Sequence, residues 1–275
     1  MSAPESLTTP PPALSNRPLA TRKRGLPRPL AATINLLILP VILVMVWWVA
    51  AAMLNSAVFP NPLQAVQGLF IDFGRPAYVA SIGTTLKLLV IGLVAAAVIG
   101  ALAGFALGLS KFWTAVFATP ISAFYAIPKV TLFPVFLIFF GIGEESRLVF
   151  AWAHSVFPMA LLVMAATAGI DKNYLKLASV LVLPWHVKLR KILIPALLPA
   201  ITTALRIAFS LTLLGLILAG MISATSGLGH ELVLNIANVR VDRIMGQILF
   251  IVVIAVIPGL FLRWLETRVT SRYQA

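Results

Sequence analysis

Residues 175–199 read LKLASVLVLPWHVKLRKILIPALLP, with Lys176, Lys188, Arg190 and Lys191 set among aliphatic residues and prolines at 184, 195 and 199. The chain on either side is almost wholly apolar, over 147–169 before the segment and 196–222 after it. Each run is long enough to cross ~30 Å of hydrocarbon as a helix, which takes roughly 20 residues. A basic stretch caught between two such runs lies at a membrane surface, and its mixture of charge and apolar faces suits a docking surface better than a bare connection.

Composition extends this reading to the whole chain. With 60% hydrophobic residues, 11% charged and a mean hydropathy of +1.01, the protein lies well outside the range of soluble globular domains. Working outward, six segments can span a bilayer, near 31–54, 81–108, 114–140, 147–169, 196–222 and 244–264. Pro120, Pro128 and Pro134 interrupt the third, because proline removes a helical donor and crowds the preceding turn. The expected fold is all-α, a polytopic membrane bundle of about six helices. Gly100, Gly104 and Gly108 repeat the small-xxx-small spacing that lets helices approach closely.

Charge placement orients the spans, since Lys and Arg favour the cytoplasmic flank. With the amino terminus inside, the cytoplasmic segments hold Arg17, Arg22, Lys23, Arg24, Arg28, Lys111, Lys172, Lys176, Lys188, Arg190, Lys191, Arg263, Arg268 and Arg272. The opposite side holds Arg75, Lys87, Arg147, Arg240 and Arg243, matched by Asp72, Glu144, Glu145, Glu231 and Asp242. Both termini are expected in the cytoplasm. The net charge of +13 is thus a matter of membrane flanks, with no contiguous aromatic-bearing patch for nucleic acid. Residues 1–28, rich in Pro, Ser, Thr and Arg, are expected to be a disordered cytoplasmic tail. The run 31–54 exceeds a signal-peptide core of roughly 7–15 residues and is read as a retained anchor. The expected organisation is a tail 1–28, a first span with outer linker 29–80, a core 81–264 containing a cytoplasmic loop 170–195, and a tail 265–275.

Catalytic and metal chemistry find little support. The chain has no cysteine, hence no disulfide framework or thiolate site. His154, His186 and His230 are isolated, and no HExxH occurs. An intramembrane serine protease would draw on His154, Ser155, Ser210 and Ser226, yet no GxSxG turn is present. No GxxxxGK[ST] loop occurs either, so ATP energy would have to come from a partner.

The surface segment has room for two short helices broken near Pro184 before the chain re-enters the membrane at Pro195. Leu175, Ala178, Ser179 and Val182 share one helical face, with Lys172 and Lys176 on another. Such a helix can rest on anionic lipid or seat in a protein groove. Lys129 falls deep in the third span, where an unpaired charge costs about 2.5–3.5 kcal/mol. Either a structural contact at the helix break or a substrate meets that cost. Arg206 can snorkel toward the cytoplasm. Phe124, Tyr125, Phe133, Phe139 and Phe140 are either packing or the lining of a path. His230 and Glu231 are expected in a solvated outer loop.

The segment also resembles the EAA loop of importer-type ABC transporter permeases, whose pattern is EAA, three residues, Gly, nine residues, Ile-x-Leu-Pro. Ile192, Leu193, Ile194 and Pro195 match its end and Ala178 its second Ala, whereas Lys176, Leu177 and Val182 stand in place of the Glu, the first Ala and the Gly. Phe59-Pro60-Asn61-Pro62 resembles the family's apolar-Pro-x-Pro. Residues 126–134, AIPKVTLFP, with 139–144, FFGIGE, are similar to the IPKxALLPLxxxxFGIGE run of the sulfonate/taurine/nitrate subfamily. Leu205-Arg206, Ser226-Gly227-Leu228-Gly229 and Leu265-Glu266-x-Arg268 resemble its GLR, SGLG and LExR elements, and Gly220 replaces the usual Glu before SGLG.

The resemblance implies a permease subunit that dimerises with itself or a related permease. It implies two ATPase subunits beneath, and a periplasmic or lipid-tethered solute-binding protein outside. No cofactor is expected on the chain itself, with ATP and Mg held by the ATPases. ATPase coupling would fall to Lys176, Ala178, Val182, Trp185, His186, Lys188, Arg190, Ile192 and Pro195, and the substrate path to Tyr125, Pro128, Lys129, Phe133 and Gly220. A small oxyanion, sulfonate or related organic acid is the expected solute. An ATP-independent transporter or channel, or a divergent non-transporting partner in a heterodimer, are the other readings.

Overall fold

The computed structural model describes residues 28–54, 56, 58–171, 173, 176, 180–223 and 225–273. The predicted tail before Arg28 lies outside the described residues, as do Lys172, Leu175, Ala178 and Ser179 of the surface segment. The chain divides into two units, residues 1–47 and 48–275. Helix α1 (Arg28–Leu54) begins in the first, and every later helix belongs to the second.

All regular structure in the described residues is helical. An asparagine starts α2 (Pro62–Phe73): the Asn61 side chain accepts from the Gln64 N–H at 2.9 Å while the Asn61 N–H donates to the Gln64 side chain at 2.9 Å. Pro62 follows at a position where no donor is needed. A short turn leads into α3 (Pro76–Gly108). Then come α4 (Lys111–Ala126), a 3-10 turn Lys129–Leu132, α5 (Phe133–Phe140) and α6 (Glu144–Ala168). Beyond the surface segment lie α7 (Trp185–Ser223), α8 (Leu228–Ala237) and α9 (Val241–Tyr273).

Helices α3, α6, α7 and α9 are each long and apolar enough to cross a membrane, in agreement with four of the six predicted spans. The third, where prolines were expected to interrupt the helix, is two helices, Lys111–Ala126 and Lys129–Phe140, bent by 83° at the break. The first corresponds to α1, whose Ile38–Leu54 part is a shorter apolar helix. Two helices were not predicted, α2 and α8, both too short to register as spans.

Packing centres on α3, α6 and α7. The glycine stripe does what its spacing implies: a Cβ on Gly100 would lie 2.8 Å from the Met159 Cβ, and one on Gly108 2.6 Å from the Met164 carbonyl oxygen. Only hydrogen at these positions lets α3 touch α6. Leu88, Leu89, Ala151, Phe209, Leu213 and Leu216 fill the layer between the three helices. Inside it, the Thr212 hydroxyl donates to the Ser155 Oγ at 2.9 Å, satisfying polar atoms that would otherwise be stranded in apolar surroundings.

Candidate functional site

The break after α4 is a consequence of Pro128. The residue before a proline is pushed out of the helical region, and Ile127 sits at φ −60°, ψ 134°. Lys129 then turns back. Its Nζ donates to the Tyr125 carbonyl at 3.0 Å and lies 5.0 Å from the centre of the Tyr125 ring. A cation at the end of α4 meets carbonyls left without helical partners and the negative end of the helix dipole. Among the described residues no carboxylate lies within ion-pair distance of Lys129.

The structure therefore brings Tyr125, Pro128 and Lys129 together, but not Phe133 and Gly220. Phe133 is fully buried, edge-on to Phe150 at 4.8 Å. Gly220 is buried where α7 crosses α8, and a Cβ there would lie 3.1 Å from the Gly229 Cα. Gly220 is a packing contact, close enough that any side chain there needs the Gly229 backbone to give way by a few tenths of an ångström.

The surface segment departs from expectation in one respect. Trp185–Lys188 is not a separate surface helix; it opens a continuous 39-residue helix, Trp185–Ser223. A π-helical turn, Leu189–Leu193, interrupts it, with the Ile194 N–H bonded five residues back to the Leu189 carbonyl. Pro195 and Pro199 supply no N–H of their own, and widening the preceding turn is a common way to absorb such a defect. Val182 takes φ +49°, a conformation for which glycine is suited and a β-branched residue is not. Val180, Val182 and Trp185 project with exposures of 77%, 85% and 55%. Lys176, His186 and Arg190 are also exposed, Lys188, Ile192 and Pro195 half-buried, and Ala178 lies outside the described residues.

Polar side chains bind the other end of the bundle. Asp72, wholly buried, accepts at Oδ1 from Arg75 at 2.9 Å and Arg243 at 3.2 Å, and at Oδ2 from Asn235 at 3.1 Å. Glu231 accepts from Arg75 at 3.1 Å and from the Ser81 hydroxyl at 3.2 Å. The hydrogen bond to Asp72, above all, pushes the Arg75 guanidinium higher than the ordinary arginine range. The expected solvated loop at His230 and Glu231 is thereby corrected. Both lie on α8, and Glu231 is only 3% exposed. Arg147, assigned by charge counting to a membrane flank, is buried. It donates to the Ser226 carbonyl at 2.6 Å and the Gly143 carbonyl at 3.0 Å, tying the GIGE turn to the SGLG loop. The sequence signals for this network were the matched acids and bases on one side, and Asn235 and Gln247 within apolar helices.

Among the described residues, the side chains that a serine protease would draw on make other contacts. The His154 Nδ1 pairs with the Phe150 carbonyl at 3.1 Å, Ser155 bonds Thr212, and Ser226 bonds Arg147. Among the described residues no group of three His, Asp or Glu could hold a metal.

Residues 96–274 match the family described as the binding-protein-dependent transport system inner membrane component. The chain belongs to this family. The permease is 28% identical to the taurine transport system permease protein TauC of Escherichia coli (strain K12), over 94% of this chain and 96% of that one. It is 22% identical to the putative aliphatic sulfonates transport permease protein SsuC of Bacillus subtilis (strain 168), over 84% and 85%. With the nitrate import permease protein NrtB of Synechococcus elongatus it shares 27%, over 70% and 72%. Its fold is similar to a chain of the MetNI methionine ABC transporter, with a TM-score of 0.57 and 20% identity, covering 71% of this permease and 95% of that chain. The predicted membership of the importer-permease family and the all-α class are both borne out.

Proposed function

We propose that this permease carries a small oxyanion-bearing solute, of the sulfonate, taurine or nitrate kind, inward across the membrane as one half of an ATP-driven importer. The observation that carries the substrate class is likeness along nearly the whole chain to a permease named for taurine transport. Lys129 supports it. Its ammonium has three donors, one of which is spent on the Tyr125 carbonyl, and it stands at a helix break of the kind that lines transporter sites. Tyr125 and Pro128 shape the same break. Phe133 and Gly220 act from behind, by packing.

ATP and Mg are held by separate ATPase subunits, and the permease itself catalyses nothing. The contact is the surface segment bearing Lys176, Ala178, Val182, Trp185, His186, Lys188 and Arg190, of which Lys176, Val182, Trp185, His186 and Arg190 are exposed, backed by Ile192 and Pro195. Trp185 opens the same 39-residue helix that forms span α7, so movement of the surface segment reaches the bundle through the π-helical turn Leu189–Leu193. Loop 170–195 and both termini then lie in the cytoplasm, with a solute-binding protein at the opposite face. A second copy or a related permease completes the pathway, within residues 81–264. A heterodimer has one specific point in its favour: Lys176 and Val182 replace the Glu and Gly of the usual loop, so a partner permease can supply the standard contact.

Affinity purification from the native host, followed by mass spectrometry, tests the assembly. An ATPase that is retained by the wild type and lost from Trp185→Ala with Arg190→Ala is the expected result. Uptake that survives ATP depletion would instead indicate a secondary transporter or channel.

A further inference from the structure

A cavity of about 630 Å³ opens beside the last turns of α1, walled by α2 and by the turn into α9. Its lining includes Trp48, Ala51, Asn61, Gln64, Gln67 and Asp242, all within residues 48–275. The size is in the range of small-ligand sites. Its chemistry is lopsided in an otherwise basic protein: no Lys or Arg lines it, and Asp242 is its one charge. Asp242 forms no ion pair among the described residues. The neighbouring Arg243 is turned toward Asp72, and Arg240, though exposed, is not among the lining residues. A first-turn acid suits the start of α9, but that alone does not account for the cavity or for the absence of basic lining.

The remaining polar groups are amides with donors to spare. Asn61 and Gln64 use their oxygens on each other's backbone N–H, which leaves the Asn61 and Gln64 NH₂ groups for a ligand. One side of the cavity is walled by Trp48, Ala51 and Ala52 of α1. Trp48 is 49% exposed, and its α1 neighbours Val49 and Met53 are 57% and 81% exposed. Tryptophan is enriched at the headgroup level of a membrane.

We propose that this cavity binds the headgroup of a zwitterionic phospholipid bearing an ammonium. The ammonium faces Asp242 and the Trp48 ring, the phosphate accepts from the Asn61 and Gln64 amides, and the acyl chains run along Val49 and Met53. An anionic headgroup would meet Asp242 with no base in the lining among the described residues to balance it. The site stands apart from the transport reading and does not depend on it.

The test is native mass spectrometry of the full chain, purified in mild detergent, with phosphatidylethanolamine and phosphatidylglycerol of matched chains. The expected result is preferential retention of phosphatidylethanolamine by about fivefold, the size of one partly exposed ion pair. Asp242→Asn removes the preference, Asp242→Glu keeps it, and Trp48→Ala weakens retention. Equal retention of the two lipids by the wild type, or a preference unchanged in Asp242→Asn, overturns the proposal. Soluble phosphoethanolamine competing as well as the lipid would also overturn it, by assigning the site to a free solute. Should Asp242→Asn not fold, Trp48→Ala at an exposed position decides the matter by itself.

Discussion

Arg206 on α7 and Glu266 on α9 form an ion pair at 2.8 Å between residues sixty positions apart. The Thr203 hydroxyl donates to the other oxygen of the same carboxylate at 2.6 Å. Arg206 and Glu266 belong to two separate sequence elements, Leu205-Arg206 and Leu265-Glu266-x-Arg268, that had no evident connection until the helices were packed. The pair holds the end of the last helix against α7, so Arg206 is clamped by a partner and does not snorkel freely. Because Arg206 is 40% exposed along its side chain, Glu266→Gln is expected to cost about 1 kcal/mol. A double-mutant cycle with Arg206→Gln, read by thermal unfolding in detergent, should recover most of that as coupling energy.

Asp72 is a different case, because it is completely buried and carries two arginines. Asp72→Ala leaves Arg75 and Arg243 without their shared carboxylate, for which about 3–5 kcal/mol is expected. A sharp fall in monodisperse protein on size exclusion, with the exposed Glu145→Ala as an unaffected comparison, checks it.

The pH dependence of that network follows from Arg75. Its pKa is raised in the folded state, chiefly by the hydrogen bond from its guanidinium to Asp72. Such a base contributes stability that is fully present below its unfolded pKa and is lost only above its folded one. Both lie beyond ordinary working pH. The difference in Tm between wild type and Arg75→Gln should therefore stay level from about pH 6 to pH 9.

Gly220→Glu should lower the stability of the bundle. Even a Cβ would stand 3.1 Å from the Gly229 backbone, and overpacking a close helix crossing costs at least about 1–3 kcal/mol. Folded yield equal to wild type would show that the α7–α8 crossing is looser than described.

Val182→Gly tests the surface segment. A left-handed conformation costs an L-residue roughly 1–2 kcal/mol, offset by about 0.5–1 kcal/mol of extra chain entropy for glycine. A small gain in Tm is expected, together with ATPase retention in pull-down at least equal to that of wild type.

Lys129→Gln should leave folding nearly intact and raise the KM for uptake several-fold if the ammonium meets an anionic solute. A fall in Tm with KM unchanged would make Lys129 a cap on α4 alone.

Much of the fold could be read from sequence because membrane spans announce themselves by length and apolarity. The prolines at 128 and 134 announced the break in the third, and the Gly100–Gly104–Gly108 spacing announced a close crossing. The short helices α2 and α8 went unread, since 12 and 10 residues fall below the length of a span. The candidate site was legible only in part. Tyr125, Pro128 and Lys129 are near neighbours in sequence and stay together in space, whereas Phe133 and Gly220 turn into the core.

The sequence by itself determined what depends on local composition: a helical membrane protein, its main spans, the position of its basic surface segment, and the motifs that join it to a permease family. Tertiary structure alone decided which charges meet. Asp72 finds Arg243 across 171 positions and Asn235 across 163, and Arg147 finds Ser226 across 79. Hydrophobicity is additive along a chain, but a buried ion must have its partner within about 4 Å, and only the packing of helices brings residues so distant in sequence that close.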